Sequence, residues 1–439
     1  MFSKLSRKRH ELPRPSGGGH AGRGATSPRP LIVGGNFGGK GAEAMLITVR
    51  DAILRRFPHA ACCVPISAES GREEFAAHGL VPVLRRQKTR GVARLERWLT
   101  VNVGIRPSPV DPVKLHAERR AVVNPYRCSD AVIDISGFTG SDEFGPKAAF
   151  YRFQAYEHAA ATGNRIILMP QSWGPFKNPV VRDYVARLVR ISDLVFARER
   201  ESLAYLGELP GVDPARIVLA ADIALQFRSD PPDAGRTLLA QIGLPHGSRP
   251  LLGITPNMRI VERTPGEGSA NAYFRDLFGL CRWFLDNTAV GLVLIPHEYT
   301  PGRANDPELC AALAVALKSP DRVACLTGRE SAAAIKSIIG LLDFVVASRY
   351  HSLVAAVSMR TPVAVIGWSH KYDELMELAG LRDWALDPAR RPAAAAQELV
   401  FDAWNRRDEI RATLHKHVPA LEDSSKGALE RMVTELGRA

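Results

Sequence analysis

The sequence predicts two consecutive α/β domains, each a parallel sheet with helices on both faces, opposed across a cleft. Three observations predict this. Short apolar runs alternate with helical stretches along most of the 439 residues, the rhythm of βαβ units. That rhythm breaks once, at 228–250, where prolines and charges cluster in R-S-D-P-P-D-A-G and P-H-G-S-R-P, and then restarts. Polar or glycine-rich loops follow the carboxyl ends of the apolar runs, the place where open α/β sheets bind ligands. The predicted organisation is a leader over 1–30, a first Rossmann-like domain over 31–227, a linker over 228–250, a second Rossmann-like domain over 251–390, and closing helices over 391–439.

The leader is rich in Gly, Pro and Ser and has no apolar periodicity, which reads as a flexible basic tail. It carries a net +6, half of the chain's +12. It lacks the apolar core of roughly 7–15 residues that marks a signal peptide. Contact with an anionic membrane or nucleic acid ranks below an idle solvated tail. In the first domain, a strand at 31–33 leads through G-G-N-F-G-G-K-G into a helix ending at 56. Next come strand 60–66, helix 69–77, strand 80–84 and a basic helical region to about 103. Strand 131–135 ends in S-G-F-T-G-S-D-E-F-G, and helix 148–161 is closed by Gly163. Strand 165–169 ends in P-Q-S-W-G-P-F, helix 179–191 follows, and strands 194–197 and 217–220 end at Arg198 and near Asp222.

The second domain starts with strand 251–255 and a long polar loop, then helix 271–286 and strand 291–295, which ends at Pro296, His297 and Glu298. Helix 307–317, strand 322–326 and helix 331–339 lead to the densest chemistry in the chain. There, strand 344–347 runs into S-R-Y-H, helix 352–359 is stopped by Pro362, and strand 363–366 follows. Arg349 and His351 thus sit past a strand's carboxyl end at a helix N-terminus, where free N–H groups and a partial positive charge collect. Arginine, imidazole and helix start suit an anion that undergoes proton transfer. The plainer alternative is an arginine paired with a nearby acid and a histidine capping a turn.

Composition narrows the classes. With 46% apolar and 24% charged residues the chain is globular. No apolar run is long enough to span a membrane. Six cysteines, Cys62, Cys63, Cys128, Cys281, Cys310 and Cys325, include no C-x-x-C pair, which suits core filling in a reducing compartment. No ligand spacing suggests a metal, and no cofactor is expected. A nucleic-acid role would rest on the basic leader alone, without a stacking-aromatic motif. The first loop nearly spells a P-loop, with Gly34, Gly39 and Lys40, but Gly41 stands where magnesium binding needs Ser or Thr. An NTPase is therefore rejected, although the glycines still permit close backbone approach to a ligand.

Several blocks, in order, resemble the polysaccharide pyruvyl transferases. They are G-N-F-G at 35–38, M-P-Q-S-W-G-P-F at 169–176, F-A-R-E-R-E-S at 196–202, Ala221-Asp222, I-P-H-E at 295–298, S-R-Y-H-S-L-V-A-A at 348–356, and Lys371 downstream. They span roughly 31–381. Two departures are Gly39, where the family usually carries an acid, and Tyr350, where leucine is common.

The resemblance implies a GT-B-like fold and transfer of the pyruvyl unit of phosphoenolpyruvate to a sugar of a cell-surface or exopolysaccharide precursor, often as a ketal. It implies a donor site in the second domain and an acceptor side in the first. Donor-binding candidates are Arg198, Arg349, Tyr350, His351 and Lys371, with Arg198 and Arg349 as a two-domain clamp on carboxylate and phosphate. His351 is the catalytic candidate; its surroundings should lower its pKa and favour the neutral base. Acceptor candidates are Asn36, Gln171, Ser172, Trp173 and His297, with Trp173 either stacking on a sugar or lining the cleft. Asp222 is an acceptor-side base, a helix cap or an arginine partner. The expected partners are phosphoenolpyruvate and a free, lipid-linked or polymeric saccharide, in the cytoplasm with at most peripheral membrane contact. The competing readings are a GT-B glycosyltransferase using a nucleotide sugar and a non-catalytic anion- or sugar-binding relative.

Overall fold

The computed structural model describes residues 27–66, 71–84, 126, 129–299, 305–367, 370–386 and 393–438. Most of the predicted leader, the basic helical region after residue 84 and Cys128 lie outside these residues. The first sheet contains β1 (Pro30–Val33), β2 (Cys63–Ile66), β3 (Val81–Leu84), β4 (Ala131–Asp134), β5 (Arg165–Gln171), β6 (Leu194–Ala197) and β7 (Ile217–Leu219). Its helices are α1 (Lys40–Arg56), α2 (Arg72–Ala77), α3 (Gly145–Ala161), α4 (Pro179–Ile191) and α5 (Arg200–Gly207). The strands lie in the order β3-β2-β1-β4-β5-β6-β7, all parallel.

The second sheet contains β8 (Leu251–Thr255), β9 (Gly291–Leu294), β10 (Val323–Cys325), β11 (Phe344–Ala347), β12 (Val363–Ile366) and β13 (Ala385–Leu386). With it go α6 (Pro232–Gln241), α7 (Met258–Val261), α8 (Ala272–Asn287), α9 (Asp306–Leu317), α10 (Ala332–Gly340), α11 (Tyr350–Met359), α12 (His370–Leu378), α13 (Ala393–Asn405) and α14 (Arg407–Leu436). This sheet is also parallel, in the order β10-β9-β8-β11-β12-β13.

Local chemistry explains the boundaries. β4 and β11 are buried at every position, as expected of central strands covered on both faces. Asn178, Asn271 and Ser331 cap α4, α8 and α10 by accepting from backbone N–H groups at 2.9, 3.2 and 3.1 Å. Three features differ from the sequence reading. The segment 228–250 is not only a linker, because α6 forms inside it; Pro232 occupies the first helical turn, where proline costs nothing. Gly235 of α6 lies against Ser337 and Leu341, so α6 packs with the second domain. Helix α5 starts directly after Glu199, its charged first turn having hidden the pattern that buries Ser202 and Leu206. The two-residue β13 closes the edge of the second sheet.

Strand order reverses between β1 and β4 in one sheet and between β8 and β11 in the other. The loops leaving these strands flank the crevice, the general position of ligand sites in such sheets. α14 returns to the first domain. Its Ser425 Oγ donates to the Asp222 carbonyl at 2.9 Å, and its Ser424 Oγ accepts from the Ala221 N–H at 3.1 Å. Among the described residues no helix is long and apolar enough to cross a membrane.

Candidate active site between the domains

On the second domain, β11 ends at Ala347, and Arg349 occupies the N-cap of α11. Its guanidinium grips Asp306, the first residue of α9: Nε donates to Oδ2 at 2.8 Å and Nη2 to Oδ1. Asp306 is fully buried and also accepts from the N–H groups of Met258, His297 and Glu298 at 3.1, 3.1 and 3.0 Å. One carboxylate thus ties together the loops after β8, β9 and β11. Asn257 adds a bond from Nδ2 to the Ser348 carbonyl at 2.7 Å.

On the first domain, Arg198 follows β6 and is almost wholly buried. It donates to Glu199 Oε1 at 2.7 Å, Asp222 Oδ2 at 2.6 Å and Ser172 Oγ at 2.6 Å. Its guanidinium lies 4.2 Å over the Tyr350 ring of the opposite domain. Lys371 Nζ lies 5.6 Å from the same ring and 4.7 Å from that of Phe138. Tyr350 therefore brings a basic side chain of each domain to one aromatic ring.

His351 sits in the first turn of α11, with Nε2 3.8 Å from Asp222 Oδ2. That Nε2 is buried without a hydrogen-bond partner. Burial, aided by Arg198 and Lys371 and opposed by Asp222, pushes the imidazole down to about 4, so it is neutral at pH 7. The lowering matches the expectation, but desolvation is its largest cause. Burial likewise draws Lys371 down to about 7, with Arg198 and Arg349 adding to it and Glu199 and Glu143 opposing. The ring of His351 also explains the broken P-loop: a Cβ on Gly41 would stand 2.0 Å from Nδ1.

The two halves are joined along the first loop. Lys40 N–H donates to the His297 carbonyl at 3.0 Å and Tyr299 N–H to the Gly38 carbonyl at 2.8 Å. Lys40 Nζ pairs with Glu43 at 2.9 Å, and Glu43 accepts from the Ala332 N–H at 2.8 Å. The P-loop-like lysine is therefore part of a domain contact.

Arg198, Tyr350, His351 and Lys371 converge at the cleft, while Arg349 reaches it through the start of α11. The acceptor candidates fare differently. Gln171, Ser172 and Trp173 are fully enclosed. β5 runs to Gln171, two residues beyond the predicted end, which carries these side chains inward. Gln171 accepts from Arg152 at 2.8 Å, and Ser172 bonds Arg198 and Glu199. Trp173 Nε1 donates to the Phe196 carbonyl at 2.9 Å, and its ring fills the space a side chain at Gly140 would need. Trp173 is thus a core residue that offers no face to a sugar. Asn36 is exposed and accepts from the Gly39 N–H at 2.8 Å, shaping the loop. His297 is buried with Nδ1 unpartnered, and burial pushes its imidazole to about 3. Asp222 is both cap, accepting from the Ala224 N–H at 2.8 Å, and arginine partner.

The sequence reading missed Asp306 and Glu199. Asp306 looked like an ordinary acid at a helix start in N-D-P-E. Glu199 stood inside a quoted block but received no role.

The structure is similar to a putative UDP-N-acetylglucosamine 2-epimerase from Listeria monocytogenes, with a TM-score of 0.58 and 14% identity over 93% of this chain and 95% of that one. It is similar to Anabaena Alr3699/HepE in complex with UDP and glucose, with a TM-score of 0.56 and 14% identity over 94% and 100%. It also resembles a glycosyltransferase from Rickettsia africae ESF-5, with a TM-score of 0.55 and 13% identity over 94% and 98%. At such identity these likenesses establish the GT-B-like fold alone. No curated protein matches the chain significantly. The family described as polysaccharide pyruvyl transferase matches residues 40–370, from the Lys40 loop to the start of α12, and so takes in the Arg198 and His351 halves together. The chain belongs to the polysaccharide pyruvyl transferase family and is a transferase.

Proposed function

We propose that the cleft transfers the pyruvyl group of phosphoenolpyruvate to a saccharide acceptor as a ketal. The observation that carries this is the convergence of Arg198, Lys371 and the N-terminus of α11 around a neutral His351. A small donor with a carboxylate and a phosphate suits cations drawn from both domains. Lys371 and the first-turn N–H groups of α11 bind the phosphate, and Arg198 and Arg349 set the field around it.

In the reaction a proton adds to the methylene carbon of the donor, leaving a cation at its central carbon. One acceptor hydroxyl attacks that carbon and gives up its proton. A second hydroxyl then displaces phosphate and also loses its proton. Neutral His351 serves as the base for the attacking hydroxyl. Gln171, Ser172 and Trp173 act behind this surface as support for Arg198, and the acceptor meets the exposed loop that Asn36 shapes.

A nucleotide-sugar donor is the second reading, because Alr3699/HepE of the same fold was solved with UDP and glucose. The experiment is calorimetric titration of the full chain with phosphoenolpyruvate and, separately, a panel of UDP- and GDP-sugars, followed by phosphate release with candidate saccharides. Saturable phosphoenolpyruvate binding and acceptor-dependent phosphate release are expected. Binding of a nucleotide sugar in place of phosphoenolpyruvate would overturn the proposal.

A further inference from the structure

A cavity of about 20 Å³ lies at the domain interface, beside His351 but outside the cation cluster of the cleft. Arg198, Arg349, Tyr350 and Lys371 do not line it. Four basic side chains do: Lys40, His297, Lys336 and His351. The rest of the wall is apolar, and no carboxylate belongs to it. The volume exceeds the roughly 10–15 Å³ a single water requires, and it is far too small for a phosphate ester.

The local charge is not balanced. Lys40 is matched by Glu43, whose second oxygen is taken by the Ala332 N–H. Both histidines are neutral at pH 7, because burial holds His297 at about 3 and His351 at about 4. Lys336 is left over. It is 5% exposed, and its Nζ donates to the Phe227 carbonyl at 2.5 Å. Among the described residues no carboxylate comes within ion-pair distance of it; Glu422 acts on it from farther away and is engaged by Arg360 at 2.7 Å. Burial lowers Lys336 only to about 8, so it stays cationic at neutral pH. A buried cation without a counter-charge is unfavourable.

Helix geometry adds to the same field. Lys40 and Ala332 are the first residues of α1 and α10, and His351 is the second residue of α11. Each helix lines the cavity with residues one turn apart, Lys40 and Ala44, Ala332 and Ile335, and His351 and Val354, so the first turns of three helices flank it.

We propose that this cavity binds one monovalent anion of halide size, held by Lys336 between the first turns of three helices. The inference does not depend on the identity of the donor.

The test is a bromide soak of crystals grown in gluconate, read by anomalous scattering, with thermal unfolding in chloride against gluconate at equal ionic strength. An anomalous peak within hydrogen-bond distance of Lys336 Nζ is expected. Chloride at about tenfold its dissociation constant should raise the unfolding midpoint by roughly 1–2 °C. Lys336→Met should lose both signals. A cavity without anomalous signal in the wild-type chain would overturn the proposal, as would an equal chloride response in Lys336→Met. The wild-type soak decides the matter even where the variant fails to fold.

Discussion

Raising the pH from 7 to 9 is expected to weaken phosphoenolpyruvate binding roughly 50-fold, through loss of the proton on Lys371. The figure follows from its surroundings. The ammonium lies over Phe138, Tyr350 and Tyr372, with Arg198 and Arg349 as neighbouring cations and Glu199 and Glu143 as the nearby acids. Burial and the two arginines lower it from 10.5 to about 7, so it is half protonated at pH 7 and about one-hundredth protonated at pH 9. The second ionisation of a phosphate monoester lies near about 6, so the donor's charge is nearly constant across this window. Titration calorimetry at pH 7, 8 and 9, in buffers of different ionisation enthalpy, reads both the affinity and the proton taken up. Lys371→Arg, which stays charged, should flatten the dependence. Stability should move the other way. The unfolded chain binds the extra proton between about 7 and 10.5, so the fold gains stability as pH rises through that range. Weaker binding at pH 9 therefore cannot be charged to unfolding through this group. A wild-type affinity flat from pH 7 to 9, or the same slope in Lys371→Arg, would refute the reasoning.

Other substitutions test the remaining contacts. Gly41→Ala places a methyl group 2.0 Å from His351 Nδ1 and must shift the ring; kcat should fall about 100-fold, and overpacking this buried position should cost about 1–3 kcal/mol. A kcat within a few-fold of wild type would show that the ring position is not critical. Tyr350→Leu removes the ring that Arg198 and Lys371 share, and donor affinity should drop by about 5- to 30-fold, with Tyr350→Phe close to wild type. Equal affinities for the leucine and phenylalanine variants would remove the ring from the argument. Asp306→Ala leaves Arg349 buried and unpaired and should cost about 3–5 kcal/mol in denaturant unfolding. A cost below about 1 kcal/mol would mean that solvent reaches the arginine easily.

The parallel sheets, the domain pair and the position of Arg349 and His351 were legible because they depend on local signals. Apolar runs buried on both faces announce parallel strands, and a strand end followed by a helix start announces a ligand position. Trp173 illustrates what was not legible. Its block follows a strand, and the block alone cannot say whether β5 stops at Met169 or continues to Gln171. Those two residues decide whether the indole faces the cleft or the core. Asp306 was hidden for another reason. Its five accepted bonds come from segments around residues 258, 297, 298 and 349, so its importance lies in contacts distant in sequence. The helix inside the 228–250 segment was not legible because Pro232 breaks a helix interior but suits a helix start.

The same carboxylates change how the site must handle a donor. Arg198, Arg349 and Lys371 bring three positive charges at most, and Glu199, Asp222 and Asp306 bring three negative ones. The arginines are therefore pinned before the donor arrives. Three of the five N–H donors of Arg198 are already committed, to Glu199, Asp222 and Ser172. Pinning gives orientation, but it leaves no excess positive charge to balance an incoming phosphate and carboxylate. That imbalance falls on the two titratable groups beside them, the half-protonated Lys371 and the uncharged His351. An imidazole held at about 4 is a weak base at pH 7. A negative charge brought within about 4–6 Å raises such a group by roughly 1–3 units, which moves His351 towards the working pH of a general base. In the proposed reaction a bound donor would strengthen His351 as the base for the acceptor hydroxyl. Carbon NMR of the His351 ring should show its titration midpoint rising from about 4 to about 6 when phosphoenolpyruvate is bound. A midpoint that stays below about 5 in the complex would leave His351 as a phosphate ligand and assign proton transfer to another group.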